Sequence, residues 1–283
     1  MLRRSGAAPQ NIEAGLGWTQ AAHSLFAALG DERAAAGTLQ IEGELWGRKG
    51  DVARGQALTE AALAQAIAFG DYALQAHSLA EQANYADNRG DWSAARTLFD
   101  RSIAAAKASG DPRQLAWNMA MWAETSCGSG DATLARQALT EAAAQMAMLD
   151  DQPGLHYLRL VEGRVIELEA GPRAALDYIS ANITAGAETR AYTLRQVDHA
   201  SRCCAKCGQP ARSAMLDAAV SALYPDLRHI QSPVELADRQ EQLDQARAAL
   251  GTEAYQRALS EGAALRFEEV VMMLDQAGVE DSP

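Results

Sequence analysis

Small apolar residues recur at fixed intervals along the chain with larger apolar residues beside them, and glycine followed by aspartate separates the segments that carry them. The dipeptide occurs every 20 residues, at Gly30-Asp31, Gly50-Asp51, Gly70-Asp71, Gly90-Asp91, Gly110-Asp111 and Gly130-Asp131. Glycine tolerates the left-handed conformation that ends a helix, and aspartate accepts hydrogen bonds from the free N–H groups that begin the next one. Each unit is therefore predicted to be one helix of about 16 to 18 residues and a tight turn, with neighbouring helices antiparallel.

Small residues also recur at positions 40 residues apart, which makes the predicted repeating unit a pair of helices. The columns are Gly15, Gly55, Ala95, Ala135 and Ala175; Ala22, Ala62, Ser102 and Ala142; and, in the alternate helices, Gly43, Ala83, Ala123 and Gly163. Small side chains at fixed sites let two helix backbones approach closely, while larger residues such as Leu98 and Phe99 fill the space beside them. The pattern predicts an all-α fold, a solenoid of antiparallel helix pairs with a repeat of about 40 residues. The alternative is an alanine-rich helical bundle whose spacing is accidental.

The Gly-Asp pairs and the prolines predict where the helices and the domains begin and end. Helix pairs are expected at 32–49 and 52–69, 72–89 and 92–109, 112–129 and 132–149, 152–169 and 172–186, and 188–207 and 210–224. Pro225 and Pro233 break the pattern, because the residue before a proline is pushed out of the helical region. Three more helices are expected at 234–249, 252–263 and 267–277, followed by a loose tail at 278–283. The predicted domains are a repeat solenoid over 1–224 and a C-terminal helical cap and tail over 225–283.

The segment from residue 79 to residue 99 carries a recognisable motif. Its large apolar, small, turn and aromatic positions are filled by Leu79, Ala83, Gly90, Trp92, Ala95 and Phe99. The chain thereby resembles tetratricopeptide (TPR)-like repeat proteins over residues 12–224, although the usual period of that family is about 34 residues. The resemblance implies a right-handed superhelix whose concave groove, lined by the first helix of each pair, binds a protein segment or peptide.

A second resemblance concerns residues 246–269. This stretch is similar to the closing segment of the TPR region in bacterial ATPase regulators of the LuxR and maltose-activator type. The resemblance implies an alternative function, a signal-sensing and oligomerisation arm of a transcriptional regulator that binds a small-molecule or peptide effector. The sequence lacks a glycine-rich loop ending in Gly-Lys-Ser/Thr, so the resemblance does not imply that this chain binds ATP.

The candidate ligand-binding residues are those that the TPR motif projects into the groove. One column holds Glu44, Asn84, Glu124, Arg164 and Arg202; another holds His77, Trp117 and Tyr157; and Asp87 and Asn88 extend the polar set. Side chains of one column are expected about 10 Å apart, the spacing of packed helices, which suits an extended ligand held at several points. In the alternative interpretation, Trp117 and Tyr157 fill the core and the charged residues only solvate the surface.

The amino-acid composition limits the binding partners and the cellular compartment that we expect for this chain. The 283 residues include 25 basic and 37 acidic side chains, a formal net charge of −12. An acidic chain repels phosphate, so direct nucleic-acid binding is not expected. A membrane partner is not expected either, since nothing apolar runs for the roughly 20 residues that span a bilayer and no secretory signal is visible. Four cysteines fit a cytoplasmic protein in the reducing cytosol.

Few residues of the sequence are candidates for catalysis or metal binding. His199 precedes the cysteine group Cys203, Cys204 and Cys207, and a helix would place residues 199, 203 and 207 on one face. A zinc site needs a fourth ligand, and buried cysteines are common core residues, so packing is the favoured interpretation and a metal or redox site the alternative. The histidines, at 23, 77, 156, 199 and 229, are scattered, and the Gly-x-Ser-x-Gly motif of hydrolases is missing. We therefore expect no enzyme activity, no cofactor and no metal.

The first predicted helix, 12–29, is in register with the second helices of the pairs. Asn11 aligns with Asp51, Asp91 and Asp131, so the matching first helix would lie before Met1. A second helix without its mate exposes an apolar face. We expect the chain to be part of a longer protein or to dock another domain there, an effector domain or a missing N-terminal domain. Closure by a polar cap formed from residues 2–10 is the alternative, and homo-oligomers are compatible with either.

Overall fold

The computed structural model describes residues 9–186, 189–225, 227, 231 and 233–275. These residues form 14 helices and no β-strand, which confirms the all-α class. The helices are α1 (Pro9–Ala28), α2 (Glu32–Lys49), α3 (Val52–Ala68), α4 (Tyr72–Asn88), α5 (Trp92–Ser109), α6 (Pro112–Gly128), α7 (Ala132–Met148), α8 (Gln152–Ala170), α9 (Pro172–Asn182), α10 (Arg190–Lys206), α11 (Pro210–Leu223), α12 (Pro233–Leu250), α13 (Thr252–Ala264) and α14 (Phe267–Asp275). His229 and the predicted tail lie outside the described residues.

The helices belong to two compact units. The N-terminal unit holds α1–α7 and ends at Asp151, and the C-terminal unit holds α8–α14. Within the N-terminal unit each helix packs on the next one along the chain, and α2, α4 and α6 also contact one another in turn. No helix in the described part of the chain is long and apolar enough to cross a membrane.

The turns of the N-terminal unit have the predicted chemistry. Each glycine of the six Gly-Asp pairs has a φ between 64° and 98°, the left-handed region that glycine enters without strain. Each following aspartate caps the next helix, as Asp31 does when its carboxylate accepts a 3.0 Å hydrogen bond from the N–H of Ala34. Helices α2–α7 accordingly begin at the predicted residues and end within one residue of them. After α7 the turn contains Asp150, whose φ of 47° makes it the one non-glycine residue of positive φ in the described chain.

The predicted small residues lie at close contacts between helices. A Cβ atom on Gly43 of α2 would lie 2.8 Å from both the carbonyl oxygen of Gly55 and the Cγ2 of Thr59 in α3. Ala83 and Ala123, 40 and 80 residues further on, are fully buried. The hydroxyl of Tyr85 donates a 3.0 Å hydrogen bond to the carbonyl oxygen of Gly43 and so ties α4 to α2.

A short buried chain of hydrogen bonds joins α4, α5 and α6. Asn118 Nδ2 donates to Ser102 Oγ over 2.6 Å, and the Ser102 hydroxyl donates to the carbonyl oxygen of Ala76 over 2.7 Å. All three residues are fully buried. Buried polar groups that satisfy one another in this way fix the position of each helix along its neighbour.

The C-terminal unit departs from the predicted pairs. α9 ends at Asn182, four residues before its predicted end, because Ile183 turns to an extended conformation and the hydroxyl of Thr193 donates to the carbonyl oxygen of Thr184. α14 packs against α9, α10 and α11, where Val270 and Leu274 are fully buried. The last described helix therefore completes the core of this unit. The predicted domain boundary at residue 224 stays a prediction.

Candidate functional site

A polar pocket lies in the C-terminal unit between α8, α10 and α12. Its cavity has a volume of about 30 Å³. The lining residues are Leu160 and Arg164 of α8; Arg195, Asp198, His199 and Arg202 of α10; Leu227 and Gln231; and Glu235 of α12. A cavity of this size admits a group as large as one or two water molecules and is far smaller than sites that enclose a whole small ligand, about 300–1,000 Å³.

The sequence of α10 explains why four polar side chains face the pocket. Arg195, Asp198, His199 and Arg202 are separated by three, one and three residues. Residues three, four and seven positions apart lie on one face of a helix. The opposite side of α10 carries Val197, Ala200 and Cys204, which are fully buried in the apolar core. One helix thus contributes to the core and to the pocket.

Two carboxylates hold two of the three arginines of the pocket in place. Asp198 Oδ2 accepts hydrogen bonds of 2.8 Å from Arg202 and of 2.8 Å from Gln231 Nε2. Arg164 and Glu235 form an ion pair of 3.2 Å between α8 and α12. Burial on its own would lower the pKa of Arg202, but the charges of Asp198 and Glu235 raise it, so the guanidinium stays charged.

His199 lies at the base of the pocket and is 2% exposed. Its Nε2 lies 2.7 Å from Glu167 Oε2, and the other oxygen of Glu167 accepts a 2.9 Å hydrogen bond from Lys206. Burial lowers the pKa of His199, and the nearby charges of Arg202 and Arg164 lower it further against the hydrogen bond to Glu167. The ring is therefore neutral at pH 7 with its proton on Nε2, and its buried Nδ1 has no hydrogen-bond partner among the described residues.

The charge of the pocket is opposite to that of the chain. Three guanidinium groups, those of Arg164, Arg195 and Arg202, line it with the two carboxylates of Asp198 and Glu235. With His199 neutral, positive groups outnumber negative ones, although the whole chain carries −12. An arginine presents a planar fork of N–H donors that matches a carboxylate or phosphate. The arrangement can therefore hold an anionic group.

The structure brings two of the predicted site residues together at this pocket, Arg164 and Arg202. A third, Tyr157, lies on α8 and is fully buried, with its ring centroid 6.0 Å from that of Tyr192. The guanidinium carbon of Arg195 lies 5.9 Å from the centroid of the Tyr157 ring. Tyr157 thus packs beneath an arginine of the pocket.

The other predicted site residues belong to the N-terminal unit and differ in depth. Those that are half-buried are Glu44, His77, Asp87 and Asn88. Those that are buried are Asn84, Trp117 and Glu124. Asn84 Nδ2 donates to Glu81 Oε2 over 3.1 Å, and Trp117 Nε1 donates to Asp151 Oδ2 over 2.9 Å. Contact of these residues with a ligand stays a prediction.

Among the described residues, one group of side chains could offer ligand atoms to a metal ion. Atoms of Glu167, His199 and Cys203 lie within 4.8 Å of one another. Burial raises the pKa of the Cys203 thiol, so the neutral thiol is favoured, and the Lys206 ammonium already occupies one Glu167 oxygen. Cys204 is fully buried in the apolar core and Cys207 is half-buried. Glu167, His199 and Cys203 are therefore better suited to core packing and to the Glu167–His199 hydrogen bond than to binding a cation.

Sequence reasoning did not find Arg195, Asp198, Gln231 and Glu235. The spacing of Arg195 and Asp198 relative to Arg202 on one helix is a signal that could have found two of them. Gln231 and Glu235 follow the predicted break at Pro225, and no local pattern indicates that this segment returns to α10.

Comparison with known proteins yields no family for this chain. No family model matches it. No curated protein matches it. The resemblance to TPR-like repeat proteins therefore remains a prediction from the sequence.

Proposed function

We propose that this chain is a non-catalytic binding protein built from TPR-like helix pairs in a right-handed solenoid with a repeat of about 40 residues. Its C-terminal unit binds an anionic group of a protein segment or peptide, a carboxylate in the first place. The observation that supports this proposal is the group of three arginines around one pocket in an otherwise acidic protein.

The chemistry of recognition follows from the ion pairs of the pocket. Arg202 and Arg164 are already held by Asp198 and Glu235, so their guanidinium groups have fixed positions before a ligand arrives. Positioned donors cost less entropy to engage than mobile ones. An incoming carboxylate shares the N–H donors of these arginines with the resident carboxylates, and charge-assisted hydrogen bonds of this kind are about twice as strong as neutral ones.

The polar residues of the N-terminal unit serve the same function in this proposal. Glu44, Asn84 and Glu124 stand 40 residues apart on α2, α4 and α6, the helices that contact one another in turn. Amide and carboxylate side chains accept hydrogen bonds from the N–H groups of an extended peptide. His77, Asp87 and Asn88 extend that row.

A second candidate function is favoured by the charge of the pocket. Its cavity of about 30 Å³ admits one small charged group, which a small anionic molecule can supply as well as a peptide side chain. In that case the chain is the signal-sensing and oligomerisation arm of a LuxR-type bacterial regulator in the cytoplasm. Its effector would bind between α10 and α12.

Binding of labelled peptides to the full chain tests the proposal. Three series of short fluorescein-labelled peptides, acidic, neutral and basic, are titrated with the protein and followed by anisotropy. We expect saturable binding of acidic peptides, weakened at least tenfold by Arg195→Gln. The matched control is Arg257→Gln on α13, which removes the same charge from a side chain that is 63% exposed and outside the pocket.

The outcomes separate the two candidates. Equal binding by Arg195→Gln and Arg257→Gln proteins would refute the pocket as the binding site. Thermal shift with citrate tests the small-molecule alternative. A rise in melting temperature with citrate that Arg195→Gln removes, without binding of any peptide series, favours the effector arm over the peptide-binding protein.

A further inference from the structure

One ring nitrogen of His199 makes no hydrogen bond within the described part of the chain. Despite burial, which raises it, the pKa of Glu167 is lowered by hydrogen bonds from His199 and Lys206, so this carboxylate can only accept. Nε2 of His199 therefore carries the ring proton, and Nδ1 keeps a lone pair that can only accept. Nδ1 is buried and unpartnered. Because buried polar atoms nearly always have a partner, this acceptor indicates that a bound group supplies the donor.

Nδ1 lies at the level of the pocket along α8. A Cβ atom on Gly163 would lie 3.5 Å from Nδ1 and 3.7 Å from Cε1 of the same ring. Gly163 follows Leu160 by three residues and precedes Arg164 by one, and both of those residues line the pocket. Glu167, which contacts Nε2, lies one turn further along α8 and is not a lining residue. Nδ1 is therefore the nitrogen of His199 on the side of the pocket.

Glycine at position 163 leaves one side of Nδ1 uncovered. The residues 40 and 80 positions earlier, Ala123 and Ala83, carry a Cβ. A Cβ on Gly43 in the same column would lie 2.8 Å from a backbone oxygen, whereas a Cβ on Gly163 would meet no atom closer than 3.4 Å, the Cγ1 of Ile179. Close packing of helices therefore does not require glycine at position 163. Its effect is to keep the space beside Nδ1 open.

The cationic groups of the pocket are more exposed than its acceptor. The side chains of Arg202 and Arg164 are 12% and 19% exposed, and Arg195 is half-buried, whereas His199 is 2% exposed. A carboxylate can accept from the guanidinium groups, but an ionised carboxylate has no proton to donate to Nδ1. A ligand that satisfies the whole pocket therefore needs a hydrogen-bond donor next to its carboxylate.

The size and the charge of the pocket select the kind of donor. A cavity of about 30 Å³ admits one or two water molecules, and a hydroxyl oxygen has about the size of one. An amide N–H brings a carbonyl group with it and needs more space. An ammonium group would be repelled, because the three arginines outnumber the two carboxylates of the pocket. A hydroxyl group is both small and neutral, so it is the donor that fits.

We propose that the pocket binds a small 2-hydroxycarboxylate, whose carboxylate accepts hydrogen bonds from the arginines and whose hydroxyl donates to Nδ1 of His199. The proposal rests on the second candidate function, in which the pocket binds a small anionic molecule. A hydroxyl on the carbon next to the carboxylate lies close enough to it for both groups to enter one pocket. The remainder of the molecule lies at the mouth, since the cavity holds little more than these two groups.

The test compares ligands that differ by one hydroxyl group. The full chain is titrated at neutral pH in a calorimeter with each enantiomer of malate and with succinate, which has the same two charges and no hydroxyl. We expect one enantiomer of malate to bind at least about tenfold more tightly than succinate, because succinate leaves a buried acceptor unpaired. The other enantiomer should bind more weakly, since it cannot place its hydroxyl at Nδ1 and its carboxylate among the arginines together.

Gly163→Ala separates recognition of the hydroxyl from recognition of the charge. The added methyl group covers Nδ1 and leaves every arginine of the pocket in place. It should weaken binding of the preferred malate by at least about tenfold and leave binding of succinate unchanged. Gly37→Ala is the matched control, because it makes the same replacement inside α2, where the Cβ would have no neighbour within 4 Å. Circular dichroism verifies that both variants are folded.

Three results would overturn the proposal. Equal affinity for malate and succinate is the first, and if Arg195→Gln weakened both ligands, binding of small anions by the pocket would still stand. A preference for malate that persists in the Gly163→Ala protein is the second, because the hydroxyl would then bind elsewhere. The third is a lack of binding by all three ligands, which would overturn the small-molecule function as well.

Discussion

Replacing Gly43 by alanine tests how closely α2 crosses α3. The added Cβ would lie 2.8 Å from the carbonyl oxygen of Gly55 and 3.2 Å from the backbone nitrogen of Thr59. Both are backbone atoms of a helix, so no side-chain rotation relieves the contact. α2 and α3 have to separate to admit one methyl group.

The expected magnitude follows from three contributions. Alanine favours a helix interior over glycine by about 0.8–1.0 kcal/mol. Overpacking a close contact costs about 1–3 kcal/mol. Separation of the helices also disturbs the hydrogen bond from Tyr85 to the Gly43 carbonyl, worth about 0.5–1.5 kcal/mol. Together they predict that Gly43→Ala lowers the free energy of unfolding by about 0.5–3.7 kcal/mol.

Urea unfolding of the full chain, followed by far-ultraviolet circular dichroism, measures the effect. Gly37→Ala is the control, because Gly37 lies in the same helix and its Cβ would have no neighbour within 4 Å. That variant should gain up to about 1 kcal/mol from helix propensity. If the two variants shift stability in the same direction and by the same amount, α2 and α3 do not meet at these glycines.

Two further predictions concern the pocket and the turns. Folding lowers the pKa of His199 below its unfolded value of 6.5. The neutral ring should therefore contribute fully to the free energy of unfolding above pH 6.5, and this contribution should decline as the pH falls below 6.5. The decline is about 1.4 kcal/mol for each unit by which folding lowers the pKa. His199→Gln should reduce the loss of stability between about pH 7.5 and pH 5.5 in urea unfolding; an unchanged pH profile contradicts the assignment of a neutral buried ring. Gly70→Ala should lower stability by about 1 kcal/mol, because φ there is +64°. Its Cβ would touch nothing, so a melting temperature at or above that of the parent would mean that the turn relaxes.

The helices of the N-terminal unit could be predicted because their ends are determined locally. A glycine in the left-handed region and a capping aspartate act within a few residues of each other, and the sequence shows both. The end of α9 could not be predicted in this way. Ile183 leaves the helix where the sequence has neither proline nor a Gly-Asp pair, and a hydrogen bond from Thr193, ten residues away, stabilises the extended segment.

The candidate site could be predicted only in part. Arg164 and Arg202 were assigned to one column, and both line one pocket. A column predicts which residues face one way but not how deeply each is buried. Trp117 of the other column is 4% exposed, and its Nε1 donates a hydrogen bond to Asp151, 34 residues further along. Glu235 reaches the pocket because the chain returns after Pro233, and that return depends on tertiary packing.

The one-sided packing of α1 has a consequence for its dynamics. The helices on either side of α3, α4, α5 and α6 oppose their local opening, whereas α1 is supported chiefly by α2. Backbone amides of α1 should therefore exchange with deuterium sooner than those of α4 or α5, as expected for a terminal segment of low local stability. Trp18 of α1 is 72% exposed. Any molecule that covers it would slow this exchange along the whole helix, so occupancy could be followed by mass spectrometry without knowledge of the identity of that molecule.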